Sequence, residues 1–395
     1  MNNDTTKIPL TELVLLPAGG RAALYRVQGD NLTWLETLPI DFKHRHALGG
    51  NRWIVAIVKD SLKYDTHLLE EKEEHAPYLF RAFVEHDGTV NVFPDVPLPQ
   101  LALNQTLALK GEVVYLGGHK RSAKKDNRVM GEMAGFMDLR LENPTWNPLP
   151  LPVEMQVGKS IDDVLVYNDK LVLVDNIMYP KYLFEYDVSN PLKPVSTKTI
   201  ELPNNGTYEH IHRGSINGNW LALLSSSVGR GGSQAYVSVF NLPTYEVCLT
   251  ASLQTFRSPE LGNSEAFTTL KEELEKARRH VEIHDFAVAD NYLLVALGHR
   301  GLAVFYLPDF LAQYRASSSN LEDPDDFFRH FRTGIRYRLS QITKDPTCLR
   351  TVPGLYKVHK LFQLPDGRVV VDGEGEIGFE HTRRIIDVTK NDLHA

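Results

Sequence analysis

Asp162-Asp163-Val164-Leu165-Val166-Tyr167-Asn168-Asp169-Lys170-Leu171-Val172-Leu173-Val174 decides the fold class. Two short apolar, β-branched runs flank the tight polar dipeptide Asn168-Asp169, which is the signature of a β-hairpin. Two more strands follow, so that Asp162–Val166, Lys170–Val174, Tyr182–Val188 and Val195–Leu202 form one four-stranded unit. Working outward, the same turn-then-strand pattern recurs in both directions. Gly50-Asn51-Arg52-Trp53 leads into Ile54–Val58, and Lys110-Gly111 into Glu112–Leu116. Gly218-Asn219 leads into Trp220–Leu224, Asp290-Asn291 into Tyr292–Leu297, and Pro365-Asp366-Gly367 into Arg368–Val371. The interval is roughly 50–75 residues, the scale of a four-stranded blade with insertions.

The pattern predicts an all-β chain, a single β-propeller domain over residues 1–395 with about six four-stranded blades. A seventh is left open by the apolar run Thr11–Leu16. The hairpin Ala22–Val27 and Leu32–Leu38 is expected to close the last blade, because Tyr356–Val388 lacks a fourth strand and an open sheet edge is a liability. Two segments break the β rhythm. Phe267, Leu270, Leu274 and Ala277 recur at helical spacing in Ser264–Arg279, and Phe327, Phe328, Phe331 and Ile335 do so in Asp323–Arg338. Both are expected to be helical insertions, either capping a propeller face or docking a partner.

Composition bounds the function. Hydrophobic residues make up 42% and charged residues 24%, ordinary for a folded globular chain. The net charge of −7 argues against nucleic acid as the main partner. Two cysteines, Cys248 and Cys348, make no disulfide framework. Met1-Asn2-Asn3-Asp4 has no basic, apolar leader, and no apolar run approaches the roughly 18 residues of a membrane span, so a cytoplasmic protein without a membrane span is expected.

The segment Tyr186-Asp187-Val188-Ser189-Asn190-Pro191-Leu192-Lys193-Pro194-Val195 resembles the hairpin of LVIVP-type propeller repeats, in which a strand ends in an Asp-Val-Ser-x-Pro turn. The resemblance implies the propeller fold and carries no activity.

Counting back from each hairpin turn reaches one equivalent position near the start of each first strand. It holds His44, Asn104, Asp162, His212, His284 and His359. In a propeller these first residues face a common axis at one mouth of the tunnel. Four imidazoles there would bind a divalent ion, iron preferred, with zinc, copper or manganese as alternatives. Asp162 and Asn104 would then complete the ring or orient a water, as catalytic groups. The competing reading makes the same histidines hydrogen-bonded tunnel lining.

Glu282-Ile283-His284-Asp285-Phe286 resembles the His-Asp-Phe motif of the carotenoid cleavage oxygenases. That resemblance implies an Fe(II) propeller enzyme with His284 as a ligand, cleaving a double bond of an apolar substrate with dioxygen. His44, His212 and His359 join it by repeat position alone. Elsewhere, the basic run His119–Lys125 is expected to be a solvated loop and Gly229-Arg230-Gly231-Gly232-Ser233 a flexible one. Asp372-Gly373-Glu374-Gly375-Glu376 is too short for a calcium loop. Cys248, between Val247 and Leu249, is expected to be buried and inert. Two function classes stay open: a metal-dependent enzyme acting on a small molecule, and a scaffold binding a protein partner at the insertion face.

Overall fold

The computed structural model describes residues 12–42, 45–49, 52–58, 77–98, 102–119, 134–150, 152, 161–175, 180–202, 208, 210–229, 232–254, 285–298, 301–318, 335–338, 349–364, 366–375 and 381–389. These residues form seven successive sheets. The first is β1 (Leu13–Ala18), β2 (Arg21–Gln28) and β3 (Asn31–Asp41). The second is β4 (Arg45–Gly49), β5 (Trp53–Val58), β6 (Tyr78–Val84) and β7 (Val90–Val92), with β8 (Val96–Pro97) also on β6. The third is β9 (Ala102–Lys110), β10 (Val113–His119), β11 (Ala134–Asp138) and β12 (Asn147–Pro148). The fourth is β13 (Ile161–Tyr167), β14 (Lys170–Asp175), β15 (Lys181–Asp187) and β16 (Val195–Leu202).

The fifth sheet is β17 (His210–Asn217), β18 (Trp220–Gly229), β19 (Gly232–Asn241) and β20 (Glu246–Gln254), with a fifth strand from later in the chain, Ile335–Arg338, parallel on β20. The sixth is β21 (Asp285–Ala289), β22 (Tyr292–Ala296) and β23 (Leu302–Tyr306), after which helix α1 (Leu307–Ser318) and strand β24 (Ile335–Arg338) intervene before β25 (Leu349–Arg350). The seventh is β26 (Leu355–Gln363), β27 (Val369–Gly375) and β28 (His381–Ile386). Each is a meander in which neighbours in sequence pair antiparallel, the blade of a β-propeller. The architecture is therefore all-β with seven blades, four in the compact unit Met1–Leu202 and three in Pro203–Ala395.

Local sequence explains the hairpins. The turn residues Asn168, Asp290, Gly111 and Gly218 have φ of 51°, 49°, 60° and 56°, the left-handed conformation that Gly, Asn and Asp adopt most readily. The strands that follow are apolar on both faces, and the second, third and sixth sheets carry a core layer on each side. Within the first unit one core layer lies between the first and second sheets (Leu24, Ile54, Phe80). A second lies between the second and third (Trp53, Leu79, Val114, Met137), and a third between the third and fourth (Tyr115, Phe136, Ile161, Phe184). In the second unit Ala222, Val239, Phe286 and Val295 join the fifth and sixth sheets, and Ala287, Leu294, Val358 and Val371 the sixth and seventh. The third and fourth sheets approach so closely that a Cβ at Gly117 would stand 2.4 Å from Ile161 Cγ2.

Two expectations are corrected. The described N-terminal strands do not complete the last blade: β1, β2 and β3 pair with one another as a sheet of their own, and Leu13–Ala18 is its first strand. The described end of the expected helix Asp323–Arg338 is instead strand β24, since Ile-Arg-Tyr-Arg alternates with period two and is rich in strand formers. Among the described residues one helix is present, α1, where Pro308 and Asp309 in the first turn and Arg315 in the last suit the helix termini. The other expected helix, 264–279, lies outside the described residues. β18 and β19 pair as far as Gly229↔Gly232, and Arg230 and Gly231 of the expected loop lie outside the described residues. No described helix is long and apolar enough to cross a membrane.

Candidate functional site

The first strand of each sheet is an edge strand, so every second backbone N–H on its open side has no ladder partner. The residues singled out in the sequence sit on these strands. Their shared position has a backbone correlate. The pairing register shifts across Asp162 (between Ile161 and Asp163), across His212 (between Ile211 and Arg213) and across His359 (between Val358 and Lys360). Asn104 lies in the matching irregularity of β9, between Ala102 and Thr106. Such bulges bend a strand and re-aim its side chains.

The donor set itself is described only in part. His44 and His284 lie outside the described residues, immediately before β4 and β21, and the side chains of His212 and Asn104 are likewise not described. Asp162 is buried, 8% exposed. His359 is half-buried, and its Nε2 lies 2.8 Å from Glu374 Oε1. That hydrogen bond is the main reason the Glu374 carboxyl is held below the usual carboxylate range, with Lys357 at 3.4 Å adding to it. Among the described residues no group of three or more His, Cys, Asp or Glu side chains is placed to hold a metal ion. Asp162 and His359 thus make no ligand set between them, and no chemical step is derived through a metal.

What the structure does assemble begins one residue further along. Asp163, Arg213 and Asp285 each follow a position singled out in the sequence, and they tie neighbouring first strands together. In the first unit Thr106 Oγ1 on β9 donates to Asp163 Oδ1 on β13 at 2.8 Å, and the Val164 N–H donates to the same oxygen at 3.0 Å. In the second unit the Asp285 carboxylate, 4% exposed, receives the Arg213 guanidinium from β17 and the Phe286 N–H on Oδ1. Its Oδ2 accepts the Leu361 N–H of β26 at 3.0 Å. Ser215 Oγ accepts the Val288 N–H at 3.0 Å, and the Val358 N–H reaches the Gly298 carbonyl at 3.0 Å. Arg213 also lies over the Phe286 ring, 4.7 Å from its centroid. Several N–H groups on these edges are thus satisfied by side chains, of the same strand or of an adjoining blade, and that of Val358 by an isolated backbone bridge to Gly298.

A second polar cluster covers the last sheet. Asp372, 3% exposed, pairs with Arg383 at 2.9 Å and His381 at 3.2 Å on β28, beside the His359–Glu374 pair. Asp372 and Glu374 are therefore held in a strand, not a loop. Two tyrosines tie turns in the first unit: Tyr115 Oη donates to the Pro191 carbonyl at 2.6 Å and Tyr186 Oη to the Pro150 carbonyl at 3.0 Å, and burial raises both phenols. Cys248 is fully buried and its thiol is pushed up to about 12 by desolvation, the inert state expected for it.

No family model and no curated protein matches the chain. The chain is similar to several solved structures. One is a protein from Lactobacillus plantarum, 13% identical, with 96% of this chain and 91% of that one covered and a TM-score of 0.47. Another is a putative 6-phosphogluconolactonase from Bacteroides uniformis, 12% identical, with 95% and 93% covered and a TM-score of 0.44. A third is BamB from Moraxella catarrhalis, 8% identical, with 98% and 96% covered and a TM-score of 0.41.

The tie residues Asp163, Arg213, Asp285, Thr106 and Ser215 were not among the sequence candidates. Their signal was available: a charged residue follows the aligned position in Asp162-Asp163, His212-Arg213, His284-Asp285 and His359-Lys360.

Proposed function

We propose that the protein is a non-catalytic β-propeller scaffold that holds another protein on its sheets. One observation carries this reading. The buried carboxylate of Asp285, in the segment that resembles an oxygenase motif, has both oxygens hydrogen-bonded within the fold, Oδ1 by Arg213 and the Phe286 N–H and Oδ2 by the Leu361 N–H. One oxygen of the Asp163 carboxylate, Oδ1, is likewise bonded within the fold, by the Thr106 hydroxyl and the Val164 N–H. Buried, fully hydrogen-bonded carboxylates rigidify a fold, whereas catalytic ones need an open face toward substrate. Stacked sheets with exposed turns suit the display of a binding surface.

A second reading keeps its place because of the register shifts at Asp162, His212 and His359, which recur at one repeat position. In it His44, His212, His284 and His359 would hold iron, zinc, copper or manganese, with Asp162 and Asn104 beside them, and the ion would supply Lewis-acid or oxygen-activating chemistry toward an apolar substrate. Metal analysis of protein purified without a histidine tag separates the two. The scaffold reading expects no stoichiometric metal and the same content in wild type and His284→Ala. One equivalent of metal that disappears in a folded His284→Ala variant overturns it.

A further inference from the structure

We infer that the last-strand edge of the fifth sheet is a strand-addition site for an extended peptide of alternating apolar and basic residues, held in the free protein by the chain's own Ile335–Arg338. This rests on the scaffold reading and names the surface and the partner class for it.

The evidence is the origin and extent of β24. The strand β20 pairs with β19 along its whole length, from Glu246↔Asn241 to Gln254↔Gln234. On its other side, among the described residues, Leu249–Ser252 is covered by Ile335–Arg338, and that pairing is parallel while the other described strand pairings are antiparallel. The covering strand is the outermost of the fifth sheet but comes from much later in the chain than the other four. It leaves the sixth sheet after α1 and the chain returns there as β25, which pairs with β23. Residues 319–334 and 339–348 tether it on either side. A parallel strand delivered on long tethers carries a loop-closure cost and forms slightly weaker pairs than an antiparallel one. A separate peptide that covers the whole of Glu246–Gln254 gains ladder hydrogen bonds that the short internal strand leaves unmade. Addition of a strand to a sheet edge is a recurring mode of peptide capture, with affinity from the backbone and specificity from alternate side chains.

The register states the chemistry of the occupant. Ile335 and Tyr337 stand beside Leu249 and Ala251, and Arg336 and Arg338 beside Thr250 and Ser252. A partner strand running parallel to β20 therefore takes apolar residues at the first and third of these positions and basic ones at the second and fourth. At the start of the edge Glu246 binds Arg315 of α1 at 2.6 Å, so the helix marks one limit of the site and already shows a guanidinium on that carboxylate.

The test uses the full chain and a labelled peptide of residues 331–342. Ile335→Pro breaks the internal strand, since proline cannot donate to a ladder. The peptide should bind the Ile335→Pro protein about tenfold more tightly than wild type, where the tethered copy competes at high effective concentration. A scrambled peptide should not bind. A variant joined by a disulfide between Ser252→Cys and Arg338→Cys should lose binding when oxidised and regain it when reduced. Equal binding to wild type and Ile335→Pro, or none to an Ile335→Pro protein with native near-ultraviolet dichroism, overturns the inference. If that variant does not fold, Tyr337→Pro and the reducible cross-link decide it by the same comparison. Stoichiometric metal would sink the scaffold reading while leaving the peptide result standing.

Discussion

Replacing Asp285 by alanine is the perturbation that bears most weight on the blade-to-blade ties. The side chain is 4% exposed and accepts from Arg213, the Phe286 N–H and the Leu361 N–H. Its removal leaves two buried backbone donors without an acceptor, each at a cost of about 1–3 kcal/mol. The Arg213 side chain is 33% exposed and can turn to water, so the lost ion pair adds no more than about 1 kcal/mol. The expected loss for Asp285→Ala is about 3–5 kcal/mol. Asp285→Asn keeps one acceptor oxygen and should lose about 1–3 kcal/mol. Arg213→Ala leaves both amides bonded and should lose about 1 kcal/mol. Equilibrium unfolding in urea measures all three, with an unchanged slope showing that the shift in midpoint is a change in stability. An Asp285→Ala protein within about 0.5 kcal/mol of wild type would refute the reasoning, because that is the scatter of an ordinary surface substitution.

Gly373→Ala should destabilise by about 1–3 kcal/mol or prevent folding, since its Cβ would fall 1.9 Å from the Lys357 carbonyl oxygen of the paired strand; thermal unfolding reads the effect. Glu374 is ionised more readily in the folded state than in the unfolded one, because of His359. Its contribution is therefore complete above the ordinary carboxylate range and is lost as the pH falls through the lowered value. Replacing His359 by Ala should flatten that part of the acid limb in a urea-midpoint series. Native Cys248 should resist alkylation near pH 8 and react once urea unfolds the protein, as followed by mass spectrometry.

The blades were legible because their determinants are local. Asn168-Asp169 and Gly218-Asn219 state their turn conformation in two residues, and the apolar runs after them state their burial on both faces. The partners of β1 and β24 were not legible, because which sheet a strand joins is settled by tertiary packing. Ile335-Arg336-Tyr337-Arg338 finds its ladder at Leu249–Ser252, far back in the chain, and the phenylalanines before it recur at helical spacing in the sequence. The candidate site divides the same way. Counting residues located the register shifts at Asp162, His212 and His359, since repeats preserve spacing. It passed over Asp163 and Asp285, because their role depends on unpaired N–H groups of a neighbouring edge strand, which only the assembled sheets bring within reach.

The Leu361 amide offers the most direct test of that role. It lies on the open edge of β26, and its described acceptor is Asp285 Oδ2 rather than a ladder carbonyl. Native-state hydrogen exchange should find it protected in wild type to a degree comparable with core strand amides, and should find that protection lost in Asp285→Asn while the β27 amides keep theirs. Exchange of Leu361 at the rate of an exposed loop in the wild-type protein, or protection unchanged by the substitution, would contradict the claim that side chains from adjoining blades close these edges.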